Sequence, residues 1–295
     1  MSYPLQFLFI AMLVVFACSK VTLQGDVCRK YLCGTRDSVL YNALFFASVL
    51  LFLVVIFHPT LYTRETFIFG ALVGASSVVF QCTYSIALTI GPVSLTVMIT
   101  GFSIMISTIS SVLLFSESIS VFQIIGMLFL VLSLVLTTFE KKSVGKVSAK
   151  WLILTLIATI SNGAGATLQK VYSQLYAVTE RGDTSASLLV VIYLAATIFS
   201  FAALIFFKKP EGRRFDFRHA TPFALGIGLI ISVYQRLYMI GLAKIDGVFF
   251  FPVSSGLQSL AMTLIGVVLF RDKLSRRQWL GTFCGLLSIC LMNIR

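Results

Sequence analysis

Charge is scarce in this chain: only 12% of its 295 residues are Asp, Glu, Lys or Arg. An ordinary soluble domain carries about 25%, so this one lacks the polar groups to cover a globular exterior. Histidine is scarcer still. His58 and His219 lie in separate loops, so no zinc site is expected. Cys18, Cys82, Cys284 and Cys290 sit in apolar stretches, where a small buried thiol needs no further role, while Cys28 and Cys33 share the first loop, which the charge bias below makes cytoplasmic and reducing. No loop of the ATP-binding kind occurs and no cofactor is implied. All eleven acidic residues fall in loops or at the ends of apolar runs, leaving no carboxylate in the middle of one.

Apolar residues fill that gap: 58% of the chain is hydrophobic and its mean hydropathy is +0.97. One soluble core cannot bury so much apolar surface, so the solvent is a lipid bilayer. A spanning helix needs about 20 mostly apolar residues. Ten runs qualify, near Leu5 to Leu23, Ser38 to Phe57, Thr66 to Ile90, Val93 to Phe115, Val121 to Phe139, Trp151 to Tyr176, Ala186 to Phe207, Ala220 to Ile245, Val248 to Phe270 and Gln278 to Ile294. They are continuously apolar rather than alternating, which excludes a β-barrel. The first run has no basic flank and no small-residue cleavage site, so it reads as a retained span. The expected fold is an all-α integral membrane protein.

The chain is also written twice. Val112 to Leu136 recurs as Val267 to Leu291, with Leu114, Phe115, Ser120, Gln123, Gly126, Leu132, Ser133 and Leu136 meeting identical residues and Glu117 meeting Asp272. Thr22-Leu23-Gln24 echoes Thr167-Leu168-Gln169, and Gln81 with Tyr84 echoes Gln235 with Tyr238. Each copy holds five spans, an odd number, so the second must enter the membrane from the opposite side. The expected organisation is therefore ten transmembrane helices as two inverted five-helix repeats, residues 1–139 and 151–295, joined by the charged linker 140–150. Inverted repeats are a common plan of secondary transporters, whose substrate site lies at the midplane between the halves.

Basic residues set the orientation. Seventeen Lys and Arg, among them Lys20, Arg29, Lys146, Arg213 and Arg276, fall in loops on one side, against Arg64, Arg181, Lys244 and Arg295 on the other. The positive-inside rule places the first set in the cytoplasm and both termini outside. The net charge of +12 then reflects topology and contact with anionic lipid, not nucleic acid. The plasma membrane is the expected location.

The twice-used frame Phe-x-[Glu/Asp]-x-[Ile/Leu]-Ser-x-x-Gln-x-x-Gly, at Phe115 to Gly126 and Phe270 to Gly281, resembles the EamA-like branch of the drug/metabolite transporter superfamily. Ala87-Leu88, Gly241-Leu242 and the stretch from Asn162-Gly163-Ala164 to Gln169-Lys170 carry the same resemblance. It implies ten helices, alternating access and a small-molecule cargo whose identity varies among members. Many members are thought to keep both termini in the cytoplasm, which the seventeen-to-four count here opposes.

The polar groups within the spans are the candidate site. Arg236 lies inside span eight and Lys170 inside span six. A basic residue at the bilayer centre costs about 2.5–3.5 kcal/mol on insertion scales, so something must offset it. Three-residue spacing puts Gln81 with Tyr84, and Gln235 with Tyr238, on one helix face each, while Asn162, Gln169 and Lys170 lie close together on span six. In the functional reading these line a cavity with a fixed cation, suited to a carboxylate or phosphate. In the structural reading Lys170 snorkels to the interface and Arg236 bonds a neighbouring carbonyl or Gln. Thr96, Thr100, Ser103, Ser107 and Ser110 form one stripe on span four, with Ser255, Gln258 and Ser259 as a partial counterpart on span nine. Such stripes either wall a cavity or let helices approach closely. Phe249, Phe250 and Phe251 are expected to face lipid or the interface. Glu117 and Asp272 are expected as helix-end partners rather than coupling groups.

Three function classes follow. A transporter of a small anionic or zwitterionic metabolite, with a coupling ion as a candidate partner, accounts for the repeat and the mid-span cation together. A flippase for a lipid-linked substrate would use the same plan, and a non-transporting receptor would show halves packed without a cavity. An enzyme is least supported, because the spans hold no acid pair and no histidine. Oligomeric state is not encoded in any feature noted.

Overall fold

The computed structural model describes residues 3–31, 35–90, 96, 99–138, 148–180, 182–206, 217–268 and 276–292. They form helices α1 (Tyr3–Tyr31), α2 (Thr35–Phe57), α3 (Arg64–Ile90), α4 (Ser103–Phe115), α5 (Val121–Thr138), α6 (Ala149–Leu175), α7 (Ser185–Ala203), α8 (Phe217–Lys244), α9 (Gly247–Val268) and α10 (Arg276–Met292). Helix is what continuous apolar runs dictate, since lipid offers no partner for a backbone N–H or C=O. Five stretches, Arg36–Phe57, Arg64–Ala87, Ala149–Leu175, Ser185–Ala203 and Arg218–Lys244, are long and apolar enough to cross a membrane. The chain is an all-α membrane protein, apart from a hairpin of two-residue strands, β1 (Val178–Thr179) and β2 (Gly182–Asp183), between α6 and α7.

Three expectations are corrected. Helix α1 continues to Tyr31 instead of stopping at Leu23, so Lys20, Arg29 and Lys30 lie within it. The polar stretch stays helical because Val27 is buried with Tyr41, Ala220 and Ala224, and Lys20 Nζ sits 5.4 Å from the centre of the Phe45 ring. Phe249, Phe250 and Phe251 do not face lipid: they are 2%, 0% and 4% exposed. Span four is not one regular helix; a turn at Phe102, whose N–H reaches Ile99 O at 3.1 Å, precedes α4. Asp272 and the rest of Leu269 to Ser275, most of the linker, and the basic loop Phe207 to Asp216 lie outside the described residues.

Packing divides the chain into two compact units that each draw on both halves of the sequence: 1–18, 87–163 and 244–295 in one, 19–86 and 164–243 in the other. In the first, α5 and α10 pack antiparallel. Ser288 Oγ donates to Gly126 O at 2.7 Å, and a Cβ on Gly285 would come within 2.9 Å of Ser133 Oγ. Helix α4 ends at Ser116, whose φ of 51° is left-handed, and this turn aims Glu117 at the start of α9. Its two carboxylate oxygens accept the Gly247 and Val248 amides at 3.0 and 2.9 Å. Next comes a capping box: the Ser120 amide donates to Gln123 Oε1 at 2.9 Å and the Gln123 amide to Ser120 Oγ at 3.2 Å. The first copy of the repeated frame is thus a set of helix-end and helix-contact devices.

In the second unit, α2 packs on α7 and α3 meets α7 through Gly70 and Gly74. Tyr172 of α6 joins Thr66 of α3 and Thr184, its hydroxyl 2.8 and 2.6 Å from theirs. The α6–α8 contact is made by Ser173 Oγ to Met239 O at 3.0 Å and Gln174 Nε2 to Leu242 O at 3.2 Å.

Candidate functional site

The α6–α8 contacts keep nearly one sequence offset, 66 and 68, as parallel helices do. The same offset sets Gln169 and Lys170 at the level of Gln235, Arg236 and Leu237. At this level Gln235 Nε2 donates to the Tyr193 hydroxyl of α7 at 2.7 Å, and Tyr238 stacks on Tyr234 with ring centres 5.7 Å apart. Lys170 is 1% exposed, so it does not snorkel to the surface. Gln169 Oε1 is buried without a hydrogen-bond partner among the described residues.

Arg236 answers what offsets its insertion cost. Nη2 pairs with Asp183 Oδ2 at 2.6 Å and Nη1 donates to Ser185 Oγ. Asp183 Oδ1 accepts the Ser185 amide at 2.8 Å and its hydroxyl at 2.6 Å. Burial pushes the Asp183 carboxyl up, but the bonds from Ser185 and Arg236 outweigh this and hold it below the ordinary aspartate value. The sequence reading missed this partner, counting Asp183 as a loop acid. The available signal was that the outer end of span eight and the loop before span seven lie on one side of the membrane.

The other predicted residues lie elsewhere. Thr66–Tyr172 and the approach of Ser76 to Gly165 show α3 antiparallel to α6, so Gln81 and Tyr84 sit roughly 15 Å further along the helix axis than Gln169. Tyr84 stacks on Phe80 there, ring centres 5.4 Å apart. Asn162 Nδ2 donates to Ser103 Oγ at 2.8 Å, and Thr100 Oγ1 to Thr96 O at 2.9 Å. With Trp151 Nε1 on Thr96 Oγ1 at 2.8 Å and Ser107 Oγ on Gly163 O at 3.3 Å, the hydroxyl stripe of span four is engaged in contact with α6. A Cβ on Gly163 would lie 2.9 Å from Ser103 O, so the two backbones all but touch. Gln258 is half-buried on α9. A small apolar cleft between Met105, Thr108, Leu130 and Pro252 has no room for a metabolite.

A bundle of apolar helices with charged and amide groups held inside it is the build of a membrane transporter. The chain matches the EamA-like transporter family over residues 5–139 and 149–294 and belongs to it, within the drug/metabolite transporter superfamily. No curated protein matches. A solved structure described only as "Crystal structure of protein" is similar in fold, with a TM-score of 0.72 and 15% identity over 98% of this chain and 96% of the other.

Proposed function

We propose that this secondary transporter carries a small anionic or zwitterionic metabolite by alternating access of two inverted five-helix halves, 1–139 and 151–295. Support for the inversion comes from helices that occupy equivalent places in the two copies and meet each other: α5 with α10, α2 with α7 and α4 with α9. For α5 and α10 the contact is antiparallel, as a two-fold axis in the membrane plane requires.

The observation that carries the cargo class is Arg236, a guanidinium inside a spanning helix whose donors are matched to a carboxylate. Gln169 Oε1, at the same level, lacks a donor and suits the ammonium of a zwitterion. The test is thermal stabilisation of the purified chain by acidic, zwitterionic and cationic metabolites. Acidic or zwitterionic compounds should stabilise the wild type, Arg236→Gln should lose that response while folding normally, and Arg236→Lys should recover part of it. Stabilisation by cations alone would sink the reading. For orientation, a single cysteine at Lys146 in a cysteine-free background should resist impermeant thiol reagents in intact cells; ready labelling would reverse the topology.

A further inference from the structure

Arg236 already holds an anion, and that anion belongs to the chain. Asp183 distributes its oxygens as a free carboxylate would, Oδ1 taking the Ser185 amide and hydroxyl at 2.8 and 2.6 Å and Oδ2 taking Arg236 Nη2 at 2.6 Å. It is presented by a hairpin of two-residue strands, too little sheet to be stable alone. The preceding residue, Gly182, has φ 130°, a conformation suited to glycine. The following residue is tied down: the Thr184 amide donates to Ala177 O at 2.7 Å and its hydroxyl lies 2.6 Å from Tyr172 Oη. The hairpin is closed by Thr179 Oγ1 on Gly182 O at 2.8 Å and by the pairing of Val178 with Asp183, so a turn of the Asp183 side chain alone takes the carboxylate off Arg236 while the hairpin and α7 stay in place. The side chains of Arg236 and Asp183 are 22% and 45% exposed, so packing does not seal the pair, and Asp183 lies outside the apolar spans, where an ion pair open to water is weak enough to exchange.

We propose that Asp183 is a tethered stand-in for the cargo's carboxylate: it covers Arg236 when the site is empty and is exchanged for that carboxylate on loading. The proposal rests on the anion reading above and narrows it to carboxylates. Exchanging one carboxylate for another keeps Arg236 neutralised throughout, so loading never leaves a bare cation within the membrane.

The test uses the full-length protein in detergent, with thermal stabilisation by sodium acetate, lactate and glutamate measured at constant ionic strength against sodium chloride. If the stand-in covers Arg236 about nine-tenths of the time, removing it raises apparent affinity about tenfold. Asp183→Asn should therefore lower the half-maximal concentration of at least one of these carboxylates about tenfold, and Asp183→Asn combined with Arg236→Gln should abolish the response. Should Asp183→Asn fold poorly, Asp183→Ser keeps a hydroxyl at that position and should show the same gain. A wild type stabilised through Arg236, with Asp183→Asn or Asp183→Ser no better, would overturn the stand-in and leave the anion reading intact. A response that survives Arg236→Gln would overturn both, and no response from the Asp183 variants to any of the three salts would also overturn the stand-in.

Discussion

The joint between α4 and α5 and the level around Arg236 differ in what they ask of the sequence. The joint uses an acid and a Ser-x-x-Gln to close helix ends, Glu117 on the amides of α9 and Ser120 with Gln123 at α5, and within α5 Gly126 O accepts Ser288 Oγ of α10. Its signal is strong because each device requires a fixed residue at a fixed spacing. The Arg236 level joins Asp183, Ser185, Tyr193 and Gln235 from two helices and a hairpin, and of these four only Gln235, through its echo of Gln81, has a spacing to betray it. Residues that stand out as a motif here build the scaffold, and those that can hold a charged group are spread along the chain.

That contrast can be broken by changes in the scaffold that alter carboxylate binding. The largest effect is expected of Gly163→Val, where the new Cβ would meet Ser103 O at 2.9 Å and Ile106 Cβ at 2.7 Å. It should cost about 3 kcal/mol or more and be seen as lost folded yield. Glu117→Ala, which strips both capped amides of α9, should cost about 2 kcal/mol in thermal unfolding with the half-maximal carboxylate concentration unchanged. Gln123→Ala, opening the capping box, should cost about 1 kcal/mol, again without a binding effect. Asn162→Ala should cost about 0.6 kcal/mol, the usual value of a polar contact between membrane helices. A several-fold loss of carboxylate binding in that variant would move Asn162 from packing to the site.

The smallest expected effect concerns acid. The folded-state pKa of Asp183 is depressed, so its pair with Arg236 adds stability that is present above the ordinary value of 3.8 and lost as pH falls through the lower folded value. Unfolding of wild type and Asp183→Asn should thus differ by a constant amount from neutral pH to about pH 4 and converge only below that. Convergence near neutral pH would mean that the carboxylate is not held by the guanidinium.

Much of the fold was legible, because twenty-residue apolar runs admit one backbone solution in lipid. Boundaries were less so: the polar stretch after Leu23 looks like a loop until Val27 is seen buried against α2 and α8. Three consecutive phenylalanines span most of a helix circumference, so periodicity had no means of telling that Phe250 packs inside. The hydroxyl stripe on span four was visible as a spacing, but the turn at Phe102 that interrupts the helix and the contacts with Trp151, Asn162 and Gly163 were not. For the site, the deep cation was readable and its partner was not. Asp183 lies 53 residues away, and only the hairpin brings it within reach.

Gly70 and Gly74 sit four residues apart on α3, and a Cβ on Gly74 would lie 2.7 Å from the backbone oxygen of Ile192. Here α3 and α7 touch backbone to backbone, with no layer of side chains between them. Any side chain larger than glycine at position 70 or 74 would have to push α7 off α3, so the pair reports a misplaced methyl group as lost folded yield before it reports anything about cargo.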